Sequence, residues 1–133
     1  MARVLIVEDD VLVKRMYQQA LQFDGFDVDL AADGKEGLDK VKERKPTLIL
    51  LDIMMPKMNG LQFLEEVKGD PATKNIPVIV LTNLSGTQDV QKALELGAVK
   101  FIVKSQYKPK QVVAMVKEII AAYTREELPI PST

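Results

Sequence analysis

The sequence predicts an α/β fold, a doubly wound five-stranded parallel sheet with helices on both faces. Three observations predict it. Apolar runs alternate with helical patterns five times along 133 residues, as strands joined by helical crossovers do. The runs Leu48-Ile49-Leu50-Leu51 and Val78-Ile79-Val80-Leu81 are continuous, as strands covered on both faces are. The length fits one domain, and 47% hydrophobic residues supply its core.

The elements follow in chain order. Val4-Leu5-Ile6-Val7 is the first strand. Asp10 opens a helix with Val13, Met16, Tyr17, Ala20 and Leu21 at helical spacing, and Gly25, free to take positive φ, ends it. Asp27 to Ala31 alternates polar and apolar, as a half-exposed edge strand does. Asp33, with Glu36 three residues on, reads as a capping box for a second helix to about Arg44. The third strand lies between Pro46 and Asp52. After the turn at "MPKMNG", Asn59 and Gln62 signal a helix to about Lys68. "GDPATKNIP" is a loop by composition, and the fourth strand follows it. Val90, Ala93, Leu94 and Gly97 mark the fourth helix, and Phe101-Ile102-Val103 the fifth strand. Pro109 suits a first helical turn, and Val112, Met115, Val116, Ile119, Ile120 and Tyr123 trace one face of the last helix. The domain is therefore expected over residues 2–123. The tail, 124–133, has two prolines and little core pattern and is expected to fray.

Composition excludes several kinds of chemistry. There is no cysteine, so disulfides and thiolate metal sites are ruled out. There is no histidine either, so the chain holds no Ser-His-Asp triad, histidine metal site or phosphohistidine of its own. If it handles phosphate, a phosphohistidine donor must be another molecule. A net charge of -1 with 28% charged residues lacks the basic excess usual in nucleic-acid binders, so no direct nucleic-acid contact is expected. The apolar stretch in "MARVLIVEDD" is too short for a signal peptide or membrane span, and a cytoplasmic location without membrane insertion is expected.

In folds of this class ligands bind outside the carboxyl ends of the strands. The first strand ends in Glu8 and Asp9, with Asp10 following; the third ends in Asp52, the fourth in Thr82 and the fifth in Lys104. Taken singly, each has a plain structural explanation. Asp9 or Asp10 can be a helix cap, Thr82 a strand-end residue and Lys104 a solvated lysine. Jointly they put acids, a hydroxyl and a cation on one edge. Clustered carboxylates raise one another's pKa, and a divalent cation relieves the repulsion. Oxygen-only ligands suit Mg²⁺ better than a transition metal. Lys104 adds a second positive charge, and the Thr82 hydroxyl can donate to a phosphoryl oxygen. Phosphoryl transfer needs mainly positioning and charge neutralisation, and Asp52 can serve as the nucleophile.

Across roughly residues 2–123 the motifs "VLIVEDD", "LILLDIMMPKMNG", "VIVLTN" and "GAVKFIVK", in that order, resemble the receiver domains of two-component response regulators. The resemblance implies a flavodoxin-like (βα)5 fold with strand order 2-1-3-4-5. It implies that Asp52 is the phosphoacceptor, Asp9 the direct Mg²⁺ ligand and Glu8 the acid holding a metal-bound water. Met54 matches the position whose backbone carbonyl ligates the metal. Thr82 matches the switch hydroxyl, Lys104 the phosphate-binding lysine and Phe101 the aromatic switch residue. The implied partners are a sensor histidine kinase or histidine phosphotransfer protein and a downstream protein on the face of the fourth helix, fifth strand and fifth helix. A monomer or a phosphorylation-dependent dimer is expected. The expected chemistry is self-catalysed transfer and autodephosphorylation, not enzymatic turnover.

Two positions depart from the family pattern. Ser105 stands where proline usually follows the lysine, often in a cis peptide, and Asn83 where a small residue usually follows Thr82. A side chain at 83 could restrict access to Asp52 or the travel of Thr82. Phe101 reads equally as plain core. Met54, Met55 and Met58 read as core or as a docking surface. Met54 and Leu84 are also apolar where a polar side chain would orient attacking water, which predicts a slowly lost phosphoryl group. Two other functions fit less well: a dehalogenase-like phosphatase needs an acid where Met54 stands, and a flavodoxin-like cofactor binder needs a phosphate loop where the acids stand. A phosphorylation-independent scaffold, or a receiver fragment of a larger regulator or hybrid kinase, fits the same residues.

Overall fold

A computed structural model describes residues 2–53, 60–83 and 87–127. β1 (Arg3–Val7), β2 (Asp27–Ala31), β3 (Leu48–Asp52), β4 (Val78–Thr82) and β5 (Lys100–Val103) form one parallel sheet in the order β2-β1-β3-β4-β5. Between and after them run α1 (Val11–Phe23), α2 (Gly34–Arg44), α3 (Gly60–Gly69), α4 (Thr87–Glu95) and α5 (Pro109–Glu127). This is the doubly wound flavodoxin-like architecture expected from the sequence. The last helix continues past Tyr123, where its apolar stripe ends, to Glu127.

Strand side chains alternate between the two faces of the sheet, and the alternation divides the core in two. Val4, Ile6, Leu48, Leu50, Ile79, Leu81 and Ile102 meet Tyr17 and Leu21 of α1 and Val112 and Val116 of α5. Leu5, Val7, Ile49, Leu51, Val78 and Val80 meet Val41 of α2, Phe63, Leu64 and Val67 of α3 and Ala93 of α4. β3 and β4 are buried along their whole length, which explains their unbroken apolar runs. β2, at the sheet edge, is buried only at Ala31. Two helical positions expected inside face out. Met16 is 41% exposed, because one residue turns a helix by about 100° and Tyr17 takes the inward direction. Leu94 is 42% exposed, because α4 seats Val90 and Ala93 instead.

The predicted punctuation is largely present. Asp10 caps α1 by accepting from the N–H groups of Leu12 and Val13 at 2.9 and 3.2 Å. Asp33 accepts from the Glu36 N–H at 2.9 Å, and the Glu36 carboxylate accepts from Ala32 N–H at 3.3 Å, one residue further back than in a standard capping box. Gly25 takes φ 95° after α1. Asn59 of the expected third cap lies outside the described residues. The α3–β4 loop is tethered by Thr73, whose hydroxyl donates to Val67 O at 2.6 Å. It is tethered again by Lys68, whose Nζ donates to Lys74 O and Ile76 O at 2.9 and 2.7 Å.

Candidate functional site

The register of the sheet brings the chemistry together. Val7 pairs with Leu51, Asp52 with Leu81 and Thr82 with Val103, so the ends of β1, β3, β4 and β5 finish side by side. Alternation puts Glu8 on the side of Ile6 and Asp52 on the side of Leu50, both in the core shared with α1 and α5. Lys104 follows Ile102 on that side. Its Nζ donates to Glu8 Oε1 at 2.6 Å and to Asp52 Oδ2 at 3.3 Å. The Lys104 side chain is 9% exposed, so it is not a solvated surface lysine. Glu8 is fully buried, and Asp52 and Thr82 nearly so. Asp9 sits exposed at the rim. Asp10, by contrast, is the helix cap of its plain structural explanation.

Glu8, Asp9 and Asp52 each bring one carboxylate oxygen within 4.8 Å of the others. Three acids thus face one ammonium. Burial pushes the Glu8 carboxyl up to about 8; the neighbouring Asp52 adds to the push, and Lys104 opposes it without overcoming it. Burial alone would lower the Lys104 ammonium, but its hydrogen bond to Glu8 and the charge of Asp52 outweigh that and raise it. Among the described residues Glu8 Oε2 is buried without a hydrogen-bond partner. A convergent, oxygen-only donor set with excess negative charge fits a hard divalent cation. Glu8, Asp9 and Asp52 are the side chains able to hold one.

Phe101 is 42% exposed, which sets aside its reading as plain core. β5 is an edge strand, and Phe101 points to the outer side at its open flank. It lines a surface cleft of about 390 Å³ with Leu94, Val99 and Tyr107. Asn83 is exposed. No peptide bond among the described residues is cis, so Lys104–Ser105 is trans, and Lys104–Gln106 form a 3-10 turn. Met54, expected as a carbonyl ligand, lies outside the described residues, as do Met55, Met58 and Leu84. Sequence reading passed over Gly60. A Cβ there would stand 2.3 Å from Ile53 Cα and 2.8 Å from Asp52 O, and its N–H donates to Ile53 O at 3.2 Å. Glycine is therefore what lets α3 begin against the backbone leaving Asp52. Its place at the end of the "MPKMNG" turn was the available signal.

Comparison with known proteins agrees with this geometry. The family model for the response regulator receiver domain matches residues 4–117. The DNA-binding response regulator MtrA of Mycobacterium tuberculosis is 38% identical over 115 residues, covering 86% of this chain and 49% of MtrA. The chain spans about half the length of the curated relatives it matches. A CheY-like receiver domain protein from Methanospirillum hungatei superposes with a TM-score of 0.88 at 29% identity, covering 95% of this chain and 98% of that one. The Mn²⁺-bound form of response regulator Rcp1 superposes with a TM-score of 0.76 at 30% identity, covering 99% of this chain and 100% of the other. The expectation of no nucleic-acid contact gains no support from relatives named as DNA-binding. Among the described residues no helix is long and apolar enough to cross a membrane. By sequence, fold and the arrangement of its strand ends, the chain belongs to the response regulator receiver domain family.

Proposed function

We propose that this chain is the phosphoacceptor module of a two-component phosphorelay, in which Asp52 takes a phosphoryl group from a partner's phosphohistidine with Mg²⁺ as cofactor. The observation that carries the reading is the position of Asp52: buried at the end of β3, within 3.3 Å of the Lys104 ammonium and beside two further carboxylates. An Asp52 oxygen attacks phosphorus, the P–O bond forms, and the P–N bond to the donor imidazole breaks, the imidazole leaving with a proton. Bound at Glu8, Asp9 and Asp52, Mg²⁺ would offset phosphoryl charge. Lys104 turns from the acids to a phosphoryl oxygen, and the Thr82 hydroxyl donates to another. These 133 residues contain no histidine, so the phosphohistidine lies outside them, and this reading places it on a histidine kinase or a histidine phosphotransfer protein. A structural relative is named as Mn²⁺-bound, which supports a divalent cation as the cofactor. The chain acts only on its own Asp52 and is not an enzyme with an external substrate. A cytoplasmic location belongs to the same reading.

The output is a change on the face of α4, β5 and α5. Thr82 pairs in register with Val103, and Phe101 stands two residues before it on the open cleft, so movement of the hydroxyl is felt where Phe101 and Tyr107 are exposed. Such coupling is allosteric only if phosphorylation shifts a population between two arrangements. NMR of the chain treated with acetyl phosphate and Mg²⁺ tests it. Amide shifts are expected through residues 87–107 as well as at the acceptor. Shifts confined to the surroundings of Glu8 and Asp52 would refute the output face.

A further inference from the structure

Tyr17 carries a polar group where an apolar one would pack as well. It is 1% exposed and belongs to the core formed by Ile6, Ile102 and Val116 on the α1 and α5 side of the sheet. Among the described residues its hydroxyl is buried without a partner, and so is Glu8 Oε2. A buried hydroxyl with no partner costs stability that phenylalanine would avoid. The fold places Tyr17 in the core layer that continues into the Glu8–Lys104 pair. Helical side chains tilt toward the helix N-terminus, and α1 begins at Val11, just past Glu8 at the carboxyl edge of the sheet. Ile6 and Glu8 share one side of β1, and Ile102 leads to Lys104 on the same side, so Tyr17's own core neighbours run directly into the charged pair. The charges of Lys104 and Glu8 both act on the phenol, whose pKa burial raises.

We propose that Tyr17 is a positioning residue of the acceptor site: its O–H donates to Glu8 Oε2 when Lys104 leaves Glu8 for the phosphoryl group. The role rests on the phosphoacceptor reading above. In the structure Lys104 holds Glu8 through Oε1 at 2.6 Å. Once that ammonium turns away, Glu8 is a fully buried carboxylate with no cation of its own chain beside it. The phenol supplies a donor from the core side and keeps the carboxylate facing the cation site. Phenylalanine would fill the same space and leave Glu8 free to turn.

The test compares the parent chain with Tyr17→Phe. The chain has three tyrosines and no tryptophan, so ¹³Cζ-tyrosine NMR resolves Tyr17 from Tyr107 and Tyr123. Tyr123, in a cleft with Pro46 and Ile120, serves as the reference. On addition of Mg²⁺ and acetyl phosphate the Tyr17 signal should move while Tyr123 stays. Tyr17→Phe should melt no lower than the parent without Mg²⁺, yet gain the phosphoryl mass about tenfold more slowly, the scale of one hydrogen bond to a charged group. A fixed Tyr17 signal, or a variant phosphorylated at the parent rate, overturns the role of Tyr17 and leaves the phosphoacceptor reading standing. A parent that neither binds Mg²⁺ by calorimetry nor gains mass overturns that reading and the role of Tyr17 with it. The NMR arm uses only the parent, so it decides the question even if the variant folds poorly.

Discussion

Lys104 is the residue that holds the acid cluster together. Its ammonium is gripped by Glu8 and Asp52 in a place with almost no solvent. Removing one partner of a buried ion pair leaves an uncompensated charge, at a cost of about 3–5 kcal/mol. Lys104→Met should therefore lose stability of that order without Mg²⁺, less whatever Glu8 recovers by taking up a proton. The same ammonium competes with a cation for the carboxylates. Mg²⁺ should accordingly raise the melting temperature of Lys104→Met more than that of the parent, and an equal or smaller rise would show that the two cations do not share the site. Taken singly in the sequence, Lys104 reads as an ordinary surface lysine. Only its place after an apolar strand, matched by Glu8, Asp9, Asp52 and Thr82 after others, distinguished it. Burial, pairing partners and the orphaned oxygens of Glu8 and Tyr17 were not legible, because they depend on how α1 and α5 close over the strand ends.

At the scale of elements, neighbouring acids have different work. Asp10 caps α1, while Asp9 joins the carboxylate cluster. Asp10→Ala should lower stability by about 1 kcal/mol and leave Mg²⁺ binding nearly intact. Asp9→Ala should do the reverse. Denaturant melts and Mg²⁺ calorimetry on both variants check this, and loss of Mg²⁺ binding in Asp10→Ala would misplace the site. Lys68 of α3 offers a pH test. Burial lowers its pKa below the usual 10.5, and its Nζ donates to two loop carbonyls. The unfolded chain then binds more protons than the folded one between the lowered pKa and 10.5, so stability from this group rises with pH across that window. A neutral amine still has donors for both carbonyls. The stability gap between parent and Lys68→Met, in the parent's favour, should widen as pH climbs toward 10.5. A gap that stays constant would mean the folded pKa is not depressed.

For the whole molecule, the fold was legible because its signals are collective. Unbroken runs required a sheet covered on both sides, and five repeats of strand and helix left few ways to wind it. What escaped was local direction: Met16 and Leu94 fit a helical stripe but lie at its margin, and Phe101 is apolar on a strand whose outer flank is open. In the proposed function, that flank is where the signal emerges. Binding only the folded state, Mg²⁺ should add about 2.7 kcal/mol at a hundredfold excess over Kd. A melting temperature unchanged across a Mg²⁺ titration would count against the cation site. The most direct measurement is the intact mass of the chain after acetyl phosphate, with and without Mg²⁺, for the parent and for Asp52→Asn. The parent should gain the mass of one phosphoryl group only when Mg²⁺ is present, and Asp52→Asn should gain none. A parent that never gains it, or an Asp52→Asn variant that gains it as the parent does, would contradict Asp52 as the acceptor.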